Sequence, residues 1–286
     1  MRGLRRGADI PFFAAFIALS GSYALLIIGM LAADLSFASA SDLAKAFQSR
    51  EIRYSIALSL VSCTVSALLS MLAAVPAGYL LSRFQFRGKS LAEGLFDIPI
   101  ALPPLVVGVS LLILFQTPPG DFLEKITAGA ARYTGFNSLM RWIGAPEVKG
   151  VAYETPAVVL AQFTVAAAFA VRAMRVSFDQ IDPRQEQVAL TLGCGRGQAF
   201  FRVALPQARP GLLAAFTLAW ARSMGEFGPV LVFAGATRMK TEVLPTTVFL
   251  ELSVGNLEAA VSVSFVMIAA AFLALWLARS IGQAHD

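Results

Sequence analysis

Long apolar runs alternate along this chain with short polar clusters rich in arginine. A helix that crosses a bilayer needs about 20 mostly apolar residues, and six stretches fit: Pro11 to Ala33, Tyr54 to Leu81, Leu95 to Phe115, Pro156 to Met174, Gly211 to Ala234, and Leu257 to Ala278. The pattern predicts an all-α membrane protein with six transmembrane helices. Arg2, Arg5 and Arg6 before the first run, with Ala38-Ser39-Ala40 after it, imitate a cleaved signal peptide. The run exceeds the roughly 7–15 apolar residues of a signal, and more spans follow, so it reads as a retained helix. Residues 1–53 then form an N-terminal helix with its external loop, and residues 54–286 a five-helix core.

Two connections carry patterns of their own. From Gln116 to Thr155 the chain holds Pro118-Pro119-Gly120 and Trp142, with Phe122, Ile126, Leu139 and Ile143 at helix-like intervals, so this stretch is expected to lie partly along the membrane surface. From Arg175 to Pro210, Asp182-Pro183 marks a helix start, with Asp182 as N-cap, Pro183 at the first position and Gln185 completing a capping-box pattern. That helix runs through Glu186, Val188, Ala189 and Leu192 to Gly193, which suits a left-handed C-terminus. After a bend at Cys194-Gly195, a second short helix is expected from Arg196 to Val203. It presents Phe200 and Phe201 and ends before Leu205-Pro206, because the residue before proline disfavours the helical region.

Composition narrows the class. The chain is 57% apolar and 14% charged, with a mean hydropathy of +0.69, far from a soluble composition. A net charge of +5 could suggest nucleic acid, but the basic residues sit between apolar runs and form no stripe. Cys63, Cys194 and the single histidine, His285, match no disulfide framework, metal site or nucleophilic triad. Arg83 to Ser90 ends like a phosphate-binding loop but lacks its first glycine and joins two spans too tightly to cradle phosphate.

Arginine and lysine placement sets the expected orientation. Arg2, Arg5 and Arg6, then Arg83, Arg87 and Lys89, then the basic stretch from Arg172 to Arg209, and Arg279, all fall on one side. The opposite loops hold Lys45, Arg50, Arg53, Lys125, Arg132, Arg141, Lys149, Arg238 and Lys240, mostly balanced by acids. The bias puts both termini in the cytoplasm.

The second connection resembles a known element. Gln187-Val188-Ala189, Gly193, and Val203-x-Leu205-Pro206 are similar to the EAA loop of ABC importer permeases, E-A-A-x(3)-G-x(9)-I-x-L-P. Gln187 stands at the acidic position and Glu186 one place earlier, leaving open which makes the polar contact. Asp97-Ile98-Pro99, Leu102-Pro103-Pro104, Ala221 to Gly228, Thr241 to Pro245 and Gly255 to Ala260 resemble the molybdate, tungstate and sulfate branch.

The resemblance implies a type I ABC importer permease fold in the inner membrane. The segment of about 182–206 would be the coupling loop, with Glu186, Gln187, Ala189, Gly193, Phe200, Val203, Leu205 and Pro206 meeting a cytoplasmic ATPase. Further expectations are a homodimer, ABC ATPase subunits that bind ATP-Mg, an external substrate-binding protein, a surrounding lipid bilayer, and no cofactor on this chain. Other substrates of the same machinery, such as ferric iron or polyamine, and an ion channel are the competing readings. A channel has no use for a docking knob on its loop, and a secondary transporter would often show two related halves, which this sequence lacks.

Proline and glycine inside the spans, at Pro76, Gly78, Pro99, Pro103, Pro104 and Gly228-Pro229, are either kinks or places where unwound backbone meets a passing ion. Arg222 and Glu226 lie one turn apart in the fifth run and share a face. Charges there belong to a bundle interior or a pathway. The candidate pathway is Pro103, Pro104, Arg222, Ser223, Glu226 and Phe227; an internal ion pair that fixes packing is the alternative for Arg222 and Glu226.

Overall fold

The computed structural model describes residues 10–37, 40–133, 136–146 and 150–283, which form helices and connections without a strand among them. Arg2, Arg5, Arg6, Ala38, Ser39, Lys149 and His285 lie outside the described residues. The helices are α1 (Ile10–Phe37), α2 (Ala40–Gln48), α3 (Arg50–Arg83), α4 (Lys89–Ala101), α5 (Pro104–Leu114), α6 (Pro118–Tyr133), α7 (Phe136–Trp142) and α8 (Thr155–Asp179). They continue with α9 (Arg184–Thr191), α10 (Arg196–Ala199), a π-helical turn (Phe200–Ala204), α11 (Leu205–Gln207), α12 (Arg209–Met224), α13 (Gly228–Phe233), α14 (Leu244–Ser253) and α15 (Leu257–Gln283).

The core is α3 packed against α8, with α12 closing over both. Ser49 caps α3 through its Oγ, which accepts from Ile52 N, and Glu51 suits the positive N-terminus. Along α3, Ser55, Ser59, Ser62, Ser66, Ser70, Ala74 and Gly78 are buried, a run of small side chains that lets backbones approach in a membrane. At Gly78 an added Cβ would lie 2.8 Å from Arg175 N, so only glycine fits that crossing. The serines also bond across the interface: Ser66 Oγ donates to Val159 O at 2.9 Å. Each such bond inside a membrane contributes about 0.6 kcal/mol on average.

Helices α1, α3, α8 and α15 are long and apolar enough to cross a bilayer. Two predicted spans are not single helices. The run from Leu95 to Phe115 is split into α4 and α5, which meet at 112°. The run from Gly211 to Ala234 is split into the 16-residue α12 and the 6-residue α13. The reason is local: Pro103 and Pro104 lack amide hydrogens, as does Pro229, and a helix interior cannot replace those bonds. By contrast Pro76 and Pro99 sit inside continuous helices.

The end of the core away from Arg83 is tied by polar contacts from the connection before α14. Tyr54 Oη donates to Lys240 O at 2.8 Å, and Leu244 N donates to Ser59 Oγ at 2.8 Å. Arg238 bridges Glu51 and Glu251. Helix α1 keeps its apolar side chains exposed, as a helix facing lipid does.

Candidate coupling hairpin and translocation site

The hairpin that follows α8 is built by capping and by one glycine. Arg184 N donates to Asp182 Oδ1 at 2.9 Å, but α9 begins at Arg184, one residue later than expected, with Pro183 in the cap position and no capping-box bond to Gln185. Helix α9 stops where Gly193 takes a φ of +91°, a left-handed value that costs other residues more. Beyond the bend the chain departs from expectation. The helical path does not end before Leu205-Pro206 but passes through Pro206 into α11 and on toward α12. Leu205 N donates to Phe200 O, five residues back, and this wider π turn makes room for the proline ring and its missing amide hydrogen.

Glu186 and Gln187 take opposite orientations. Glu186 turns inward and is buried, where Tyr79 Oη donates to its Oε2 at 2.6 Å and Arg83 Nε to its Oε1 at 2.7 Å. Arg83 also donates to Ile181 O at 2.9 Å. Gln187 stays exposed beside a notch of about 190 Å³ that Tyr79, Arg83, Leu190 and Arg196 help to line. The aromatic residues add a second tie. Tyr79 stacks edge-on against Phe178 (5.4 Å) and Phe200 (4.7 Å), so Phe200 faces the chain's own core.

Ala189 is also buried, only 9% exposed, and turns toward the chain's own core. The most exposed apolar side chains of the hairpin are Val188, Leu192 at 80% exposure, and Phe201 at 67%. Val203, Leu205 and Pro206 are half-buried and shape the π turn. Gly193 is exposed, with open space around its Cα. The sequence pattern marked this hairpin but missed Tyr79 and Arg83, whose only signal was a basic residue at the end of a span.

The two helix breaks meet. A Cβ on Gly228 would lie 2.9 Å from Pro104 Cβ, and one on Gly108 would lie 2.9 Å from Pro229 Cα. Thus α5 packs against α13 backbone to backbone. Pro103 and Pro104 are exposed on one side of this junction and Phe227 is half-buried on the other. Phe227 stacks on Phe249 at 5.4 Å.

Arg222 lies just before the second break. Its Nη1 is 2.9 Å from Glu226 Oε2, and its guanidinium sits over the Phe169 ring at 5.6 Å. The pair is unequal: the Arg222 side chain is 29% exposed and that of Glu226 1%. Ser223 Oγ is buried without a hydrogen-bond partner. The arrangement sets one partly exposed cation beside interrupted backbone, with the unpartnered Ser223 hydroxyl closed off beneath it.

Residues 68–284 match a family model described as the binding-protein-dependent transport system inner membrane component. The chain belongs to this family. Among its relatives, the molybdate/tungstate transport system permease protein of Thermococcus kodakarensis is 32% identical over 81% of this chain and 80% of that one. The molybdenum transport system permease protein of Escherichia coli is 31% identical over 78% and 92%. The sulfate transport system permease protein of the same bacterium is 31% identical over 77% and 72%.

The fold is that of a solved bacterial ABC transporter that imports alginate. The two superpose with a TM-score of 0.71 over 96% of each chain at 16% identity. A second structure of a bacterial alginate transporter, with an alginate-bound periplasmic protein, gives 0.69 over 96% of this chain and 95% of that one, at 16% identity. This protein is therefore a transport permease subunit with the type I importer fold.

Proposed function

We propose that this permease moves a tetrahedral oxyanion, molybdate or tungstate ahead of sulfate, across the inner membrane. The observation that carries the reading is Arg222: an arginine, partly exposed, in the last turn of α12 just before the break that precedes α13. It suits an anion and opposes ferric iron or polyamine. The names of the relatives support the same class. Glu226 competes for the guanidinium, which keeps anion binding weak enough for release.

In this reading the α4–α5 and α12–α13 pairs each count as one span, making six, with both termini and the hairpin in the cytoplasm. Two copies face each other across the pathway. Separate ATPase subunits bind ATP-Mg and meet Val188, Leu192 and Phe201. An external binding protein delivers the anion, and the solved alginate transporter bound to a periplasmic protein supports such a partner.

Uptake of molybdate, tungstate and sulfate in a strain lacking its own oxyanion importers tests the proposal. Uptake should appear only when this chain, its ATPase and its binding protein are supplied together. Uptake by this chain alone would favour a channel. Reporter fusions after Gln198 and Asp286 should read cytoplasmic and one near Gly135 external; the reverse overturns the orientation.

A further inference from the structure

A second ion pair lies on the same side of the core as Arg222, one helical turn nearer the hairpin. Arg172 on α8 is three residues past Phe169, the ring that Arg222 covers. Its Nη2 is 3.6 Å from Asp97 Oδ2 on α4. Arg175 Nη2 and Glu93 Oε1 repeat the pairing a further turn along, at 3.1 Å.

These pairs differ in how firmly they are closed. Arg172 and Asp97 are the most open, with side chains 62% and 45% exposed, against 36% and 25% for Arg175 and Glu93. They are also the more widely separated. Yet Arg172 is only about 7 Å along the axis from the midpoint of α8, well inside a half-bilayer of about 15 Å. An ion pair at that depth is costly against lipid, at about 2.5–3.5 kcal/mol per charge, and suits a water-filled face.

An open trough gives the pair a setting. It holds about 490 Å³ between α8 and α12, beginning at Phe169 and running past Arg172 and Ser177 to Gln180 and Pro210 at the hairpin end. At about 30 Å³ per water, that is room for a hydrated anion. Its walls are otherwise mainly apolar, so a passing anion finds few other polar groups.

We propose that Arg172, held loosely by Asp97, is a second anion-binding station, taking the oxyanion from Arg222 and passing it along the α8–α12 trough. The inference rests on the pathway reading above. Arg222 holds the anion beside the α12–α13 break, and Arg172 offers the next positive charge, three residues along α8 from the ring that Arg222 covers. Asp97 reclaims the guanidinium when the anion moves on. The step is an exchange of ionic partners, with no proton or covalent bond transferred. Several weak sites in series allow faster passage than one tight site.

The test uses the complete transporter with tungstate as the probe: labelling is done in inside-out membrane vesicles loaded with tungstate and the binding protein, and uptake is measured in whole cells. Arg172→Cys is treated with an anionic, membrane-impermeant methanethiosulfonate, and the parent chain, with its own Cys63 and Cys194, gives the background. Labelling above that background, slowed when tungstate is being transported, supports the station. Arg172→Gln should lower tungstate uptake about tenfold, the order expected for one lost charge-assisted hydrogen bond, while Arg172→Lys keeps most of it. If Arg172→Gln fails to assemble, the cysteine labelling and the lysine variant still decide.

An Arg172→Cys that resists the reagent but forms a disulfide between two copies overturns the proposal and makes this face a subunit interface. Labelling that tungstate never slows, with parental uptake by Arg172→Gln, overturns it too. If uptake then falls in Arg222→Gln but not in Arg172→Gln, only the second station is lost; if neither falls, the pathway reading fails with it.

Discussion

Arg83 and Glu186 are joined by a buried ion pair that ties the end of a membrane-crossing helix to the first turn of the hairpin helix. Nε donates to Oε1 at 2.7 Å, and the two side chains are only 9% and 10% exposed. Tyr79 bonds the other carboxylate oxygen. Any displacement of α9 must therefore pull on α3, and through it on α8.

Breaking that tie should uncouple the protein. Removing one partner of a buried pair costs about 3–5 kcal/mol, because the other charge is stranded. Arg83→Gln and Glu186→Gln should each lower uptake per ATP hydrolysed, and the double variant should be less stable than the parent but better than either single one. Transport and ATP hydrolysis measured together on reconstituted complexes check this. Parental coupling in both single variants would make the tie dispensable.

The apolar residues facing outward from the hairpin should anchor the ATPase. Leu192→Asp and Phe201→Ala touch little of the chain's own core, so the permease should reach the membrane intact. Retention of the ATPase on a tagged permease should fall about 30-fold, as for an interface anchor of about 2 kcal/mol. Ala189→Ser, at a buried position, should leave retention unchanged.

Gly228→Ala should destabilise the junction of the two broken helices. Its new Cβ would sit 2.9 Å from Pro104 Cβ, and overpacking of this kind costs about 1–3 kcal/mol. The melting temperature of the purified protein should fall by several degrees. Gly94→Ala, with open space around it, should not change it.

Glu242 predicts a pH dependence at the opposite end of the molecule. Neither carboxylate oxygen has a hydrogen-bond partner, and the side chain is fully buried. Thr247 Oγ1, nearby, donates to Val243 O instead. Burial pushes the Glu242 carboxyl above its ordinary range, with Arg238 opposing the shift and Glu51 and Glu251 adding to it. A carboxyl raised in the folded state stabilises the fold below its unfolded value, and that contribution is lost as pH rises through the folded value. Glu242→Gln should therefore melt higher than the parent in alkaline buffer, with the gap closing as pH falls. A gap that is constant from acid to alkali would sink this account.

The predicted spans and the observed helices differ for reasons that can be traced to particular residues. Tyr54 to Leu81 and Pro156 to Met174 were readable because apolar length alone identifies a crossing helix. Pro103 and Gly228 announced irregular backbone, but the sequence could not say that α4 and α5 would meet at 112°. That angle depends on α13 filling the bend. Pro206 misled for the opposite reason: a wider helical turn absorbs the ring, a solution that proline's local preferences do not reveal.

By itself the sequence determined the class of the molecule and the place of its hairpin, the helix–bend–helix whose motif ends at Pro206. Apolar runs, arginine clusters and a short spaced motif are local patterns, and their physics is satisfied within one segment. Which side of the hairpin faces out was not decided there. Glu186 and Ala189 turn inward because Tyr79 and Arg83, more than a hundred residues away from Glu186, arrive to satisfy the carboxylate. In the same way, Arg222 on α12 reaches the Phe169 ring on α8 only through the packing of the two helices. A buried charge takes whichever partner the fold brings to it, and that choice belongs to the tertiary structure.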